Sequence, residues 1–192
     1  MDLQGYKLQS SITFQMNSLK SIIVVIALIL FVTPLKLSAQ NSNNSLLTQL
    51  CRKWTNAEVY ALKMAELMPE EFYNFKPVPE EMSFKQQLLH IADNTEWLSS
   101  AYLFVPKANK IDTSVKSKAA ILKILSDAYD MGKAAHHNLS AKQLDDTVSF
   151  FAGPMSRRQI LILLHDHQTH HLGQLIVYLR LKGIKPPDYV GW

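Results

Sequence analysis

A single cysteine, Cys51, occurs in the chain. No internal disulfide can form, so the fold must be held by its core. Glycine is scarce, at six of 192 residues, and the six are too dispersed to build a phosphate-cradling loop. Excess charge of one sign is small as well. Of the 20 Lys and Arg, three (Lys7, Lys20, Lys36) precede residue 41, and of the 16 Asp and Glu one (Asp2) does, leaving 17 against 15 in residues 41–192. Arg157-Arg158 is the only adjacent arginine pair. A chain that tracks phosphates needs a basic stripe; these scattered charges predict no nucleic-acid partner.

Long apolar runs are missing too, with one exception near the start. Lys20 precedes an uninterrupted apolar stretch from Ile22 to Val32, and the small residues Ser38 and Ala39 follow. That order is the one a secretory signal peptide shows. The stretch is shorter than the roughly 20 apolar residues a membrane span requires. Residues 1–40 are therefore expected to be a signal peptide with its true start at Met16, and residues 41–192 an exported, periplasmic or otherwise extracytoplasmic domain. No stable membrane span is expected after cleavage; an uncleaved anchor is the alternative.

What remains reads as four helices. Leu47, Leu50, Trp54, Ala57, Ala61, Met64 and Met68 recur at spacings of three and four, the seam of a bundle helix, which Pro69 ends. Pro77 and Pro79 make the next stretch a connector. Ser83 with Gln86 three residues on forms a capping-box pattern for a second helix, with a stripe of Phe84, Leu88, Ile91, Leu98 and Tyr102. A third helix is expected from about 115 to 138, carrying Leu122, Leu125 and Tyr129. A fourth runs from about Ser156 to Lys182 and stops at Gly183, with Pro186-Pro187 beyond. No strand pairing is convincing, although "TVSFF" could be a short extended segment. The expected class is all-α, a four-helix bundle.

The fourth helix holds the run "HDHQTHHLGQL", from His165 to Leu175. Its expected seam is Ile160, Leu164, His167, His171, Gln174, Tyr178 and Leu181, polar in the middle where hydrophobes belong. Burying unpartnered imidazoles costs about 1–3 kcal/mol each, so these groups need partners. His167 and His171 stand at i and i+4 and project from one face, a separation that suits two nitrogens on one metal ion. His165, about 200° around the helix from His167, should face away, and His170 lies at the seam's edge. Core histidines satisfied by hydrogen bonds alone would give the same spacing. A third ligand must come from another helix. His90, between Gln87 and Asn94 on its own helix face, is favoured by spacing. His136 and His137 remain open, though their place in a last helical turn suggests a solvated face.

Two stretches together, "MPEEFYNFKPVPEEMSFKQQLLHIADNTEWL" and "HDHQTHHLGQLIVYLRLKGIKPPDYVGW", resemble the DinB/YfiT-like metalloenzyme family over about residues 46–192. The resemblance implies an up-down-down-up bundle holding one divalent metal ion on three histidines, which match His90, His167 and His171. Where the family often has arginine between the adjacent histidines and the glycine, this chain has Leu172, so no arginine role is carried over. The up-down-down-up order needs a crossover between the second and third helices. A link of about eleven residues can reach roughly 36 Å, enough for it.

Three neutral imidazoles would leave a zinc ion an open fourth position, the arrangement of catalytic sites. Nickel is the other candidate, since imidazole discriminates weakly among these ions. The reading ranked first is a metal-dependent hydrolase acting on a small-molecule substrate. Family members that use a small thiol suggest an S-transferase instead, but such thiols are kept reduced in the cytosol. A non-catalytic metal- or ligand-binding envelope protein is the alternative from another class. No general base stands out; Asp93 is one turn from His90. Gln174, His170 and Asn94 are expected to support the ligands. A homodimer is left open.

Overall fold

The computed structural model describes residues 45–108 and 111–192, so the proposed leader lies outside the described residues. Four helices carry the fold: α1 over residues 45–67, α2 at Phe84–Tyr102, α3 at Lys118–Asn138 and α4 at Arg157–Leu181. Their boundaries follow local chemistry. The Ser83 and Ser156 hydroxyls each accept from the third backbone N–H of the helix they precede, and Gln86 and Gln159 reach back to complete two capping boxes. Beyond the end of α4 the chain turns at Gly183, whose φ of 71° suits a residue without a Cβ. There Ile184 N–H donates to Leu179 O and Gly183 N–H to Arg180 O, a Schellman closure.

Helix directions follow from what each end touches. Trp54 Nε1 donates to Tyr129 O (2.9 Å), and Lys118 Nζ to Glu66 O (2.6 Å) and Met68 O (2.9 Å), so α1 and α3 are antiparallel. Tyr178 Oη donates to Met82 O (2.6 Å) and Arg157 Nε to Tyr102 O (3.0 Å), so α2 and α4 are antiparallel. Lys85 Nζ reaches Val115 O and Asn138 Nδ2 reaches Phe104 O, which aligns α2 and α3 in one direction. The order is up-down-down-up, with the long crossover between the two parallel helices.

One apolar core joins all four helices, with Trp54, Met64, Phe84, Ile91, Ile121, Leu125, Ile160 and Leu175 among its fully buried members. Trp54 is seated against Gly132 of α3, where a Cβ would overlap the indole ring. Two findings correct the sequence reading. Thr147–Val148 (β1) pairs antiparallel with Met155–Ser156 (β2) just before α4; two residues a side are too few to leave a periodic signature. The buried face of α4 also differs from the expected seam. It runs through Ile160, Leu161, Leu164, His165, Gln168, His171, Leu172, Leu175, Tyr178 and Leu179, while Leu181 is exposed. α4 packs on α2 along one side and meets Trp54, Tyr129 and His136 along another, so its buried arc is wider than a two-helix seam.

Candidate metal centre

His90 sits in the second turn of α2, facing α4. From α4, His167 and His171 project one turn apart, as their i,i+4 spacing requires. The antiparallel packing of α2 on α4 brings the three rings together, with centroids 4.9 Å (His90–His167), 4.7 Å (His90–His171) and 4.6 Å (His167–His171) apart. One ligand atom from each lies within 4.8 Å of the others, and among the described residues no carboxylate or thiol joins them. The Nε2 atoms of His90 and His167 are 3.2 Å apart. Ligands at about 2.0–2.1 Å from a tetrahedral ion would be roughly 3.3 Å apart. The three side chains could hold a metal ion.

Protonation favours the same conclusion. Burial, then the neighbouring His90 and His170, pushes His167 down to about 4. Burial, then His167, His90 and His170, pushes His171 down to about 4. Both are neutral at pH 7, the form that binds metal. His171 Nδ1 lies 2.5 Å from Gln87 Oε1. An amide oxygen only accepts, so His171 donates there and its Nε2 keeps the lone pair. Gln87 is held in turn, its Nε2 donating to Gln174 Oε1 and to Tyr178 Oη. Gln87 was named in the sequence only as a neighbour of His90; its position three residues before that histidine was the available signal.

The other residues expected to support the ligands take different places. Gln174 reaches the cluster through Gln87 rather than directly, and its amide nitrogen bonds His170 Nε2 at 3.0 Å. His170 is exposed and stands edge-on to the His171 ring. Asn94 is half-buried one turn beyond His90, and its Oδ1 is buried without a hydrogen-bond partner. An orphaned acceptor on the helix face that carries His90 fits a site built to receive a further donor.

His90 also forms part of the wall of a cavity of about 660 Å³. Asp93 lines it, as do Lys76 and Lys85, and Met82, Leu89 and Ile111 supply apolar surface. Of the three histidines His90 alone lines the cavity, so it adjoins the cluster on the α2 side.

The remaining histidines form a separate pair. His165 does turn away from the cluster, but into the bundle, where it is buried. His136, expected on a solvated face, is buried too, because Trp54 of α1 and His165 of α4 cover the last turn of α3. His136 Nδ1 donates to Gly132 O at 2.7 Å, so His165 Nε2 must donate to His136 Nε2 across 2.9 Å. His165 Nδ1 is then a buried acceptor without a partner.

The bundle order has a counterpart among known proteins. The sequence model of the DinB family matches residues 40–191. The chain belongs to the DinB family. The uncharacterized protein YjoA of Bacillus subtilis is 28% identical over 130 residues, covering 63% of this chain and 80% of the relative. The crystal structure of that DinB-like protein matches with a TM-score of 0.62 at 21% identity, over 73% of this chain and 97% of the other. A DinB-like protein from Bacillus cereus matches with a TM-score of 0.59 at 21% identity, over 73% and 95% of the two chains. A conserved protein from Enterococcus faecalis matches with 0.58 at 16% identity, over 70% and 95%. These likenesses establish an all-α, DinB-like fold.

Proposed function

We propose that His90, His167 and His171 hold one divalent ion, zinc first and nickel second, and that the protein is a metal-dependent hydrolase of a small molecule. The observation that carries the reading is three converging imidazoles, with no fourth protein ligand among the described residues, beside a cavity. Structural zinc sites use four protein ligands, whereas catalytic sites use three and keep one position open. A bound divalent ion supplies Lewis acidity, polarising a substrate oxygen and bringing the ionisation of water to about pH 7.

This chain's own residues would do the rest. Gln87 fixes the His171 tautomer and ring orientation. Asn94, one turn beyond His90 on α2, keeps a buried acceptor, Oδ1, without a partner. Asp93, one turn beyond His90, is the carboxylate of the cavity and the group offered to take a proton from the attacking water. Met82, Leu89 and Ile111 exclude water from the apolar part of a substrate.

Zinc- and nickel-loaded protein screened on esters, amides and phosphoesters tests the reading. Turnover should rise with pH through a value near 7, vanish in His167→Ala and fall in Asp93→Asn with metal content unchanged. Turnover that survives His167→Ala contradicts the assignment. A blank across all three classes transfers the site to a metal-binding protein without catalysis.

We also propose that the protein works outside the cytoplasm, which rests on the Lys20, apolar and Ser38-Ala39 order of the leader. N-terminal sequencing of native protein should find a start near Gln40 or Asn41. A soluble cytosolic form with residues 16–36 intact would refute export.

A further inference from the structure

The cavity beside His90 is polarised along α2. Lys85 lies in the first turn and Lys76 on the preceding connector, whereas His90 and Asp93 lie one to two turns further on. At 1.5 Å rise per residue, Lys85 and His90 are about 7.5 Å apart along the axis. Both ammonium groups are held by neutral carbonyls: Lys76 Nζ donates to Pro79 O (3.2 Å) and Lys85 Nζ to Val115 O (3.4 Å). Among the described residues neither meets a carboxylate within ion-pair distance. An ammonium has three N–H donors, so each keeps donors to spare.

Two alternative sources of anion contact are closed. The first N–H groups of α2 are all used, Phe84 N by Phe75 O, Lys85 N by Tyr73 O, Gln86 N by Ser83 Oγ and Gln87 N by Ser83 O. Among the described residues no arginine lines the cavity. The two lysines therefore supply the positive charge. Asp93 repels an anion from the opposite end, which fixes the direction in which a ligand lies.

We propose that this cavity binds an anionic small molecule, its carboxylate or phosphate held by Lys76 and Lys85 and its body laid over Met82, Leu89 and Ile111 toward His90. This rests on the reading of the three histidines as the reaction centre, since it names the substrate class of that site. The anion is the handle, and the far end of the ligand's body is the part presented to His90. Ammonium groups act as point charges and accept either oxyanion, so the source of the charge is settled by experiment.

The test uses metal-free, isotope-labelled full-length protein, so that it stands or falls without the metal. Amide shifts are followed while titrating 4-phenylbutyrate, phenyl phosphate and the neutral 4-phenylbutanol. At least one anion should bind with shifts at Ser83, Lys85, His90 and Thr113. The alcohol should bind at least about tenfold more weakly, and Lys76→Gln/Lys85→Gln should weaken the anion by about tenfold or more. Raising salt should weaken the wild type and leave the double variant little changed. The better of the two anions names the handle. Circular dichroism checks that the variant is folded; the single replacements serve if it is not. The proposal is overturned if the alcohol binds as well as the anions, if the double variant keeps its affinity, or if neither anion binds. Loss of metal binding with anion binding intact would overturn the metal reading alone.

Discussion

Gln87 Oε1 lies 2.5 Å from Nδ1 of His171, and the same amide donates through Nε2 to Gln174. One side chain of α2 thus sets the tautomer of a histidine on α4. Without it, His171 could place its proton on the nitrogen that faces the cluster. Supporting residues of this kind typically change metal affinity 10–100-fold.

Gln87→Leu, which keeps the volume and removes the acceptor, is expected to weaken zinc binding by about that factor in a chelator competition, with helical content retained. Unchanged affinity would mean that the amide does not hold His171.

A second expectation concerns Gly132. It faces the Trp54 ring so closely that a Cβ would overlap it, and the indole is fully buried with Nε1 bonded to Tyr129 O. The ring has nowhere to retreat. Gly132→Ala should cost about 1–3 kcal/mol, at about 2–4 °C of Tm per kcal/mol for a chain of this size. A Tm equal to the wild type would show that α1 and α3 can separate without cost.

The third follows from His165 and His136. Burial, then His136 and Lys53, pushes His165 down to about 3. Burial, then His137, lowers His136 against the opposing Gly132 carbonyl. Both groups bind protons more readily when unfolded, where the ordinary value is about 6.5. Their contribution to stability is therefore complete above about pH 6.5 and is lost as pH falls toward the folded values. Metal-free protein should show a falling Tm between pH 6.5 and 4.5, with a shallower fall in His165→Gln. Equal slopes in the two proteins would exclude His165 as a source.

The fold was legible because its punctuation is local. Ser83 with Gln86 and the Gly183 stop mark helix ends through bonds within a few residues. The three histidines were legible from the i,i+4 pair and the family resemblance together. What escaped depends on distant neighbours. Nothing near His136 in the sequence shows that Trp54, 82 positions earlier, and His165 cover it. His165 could be placed opposite His167, but not in the bundle interior, because the width of α4's buried arc depends on how many helices touch it. The Gln87–His171 bond spans 84 residues and exists only once α2 and α4 are paired.

Metal analysis of untagged protein tests the central claim most directly, comparing wild type with His90→Ala, His167→Ala, His171→Ala and, as a control, His165→Ala. The account predicts about one divalent ion per folded chain in the wild type and in the control, and severe loss in each of the other three. Metal content unchanged by single replacement of His90, His167 and His171 would contradict it, and would leave the three as buried histidines held by hydrogen bonds alone.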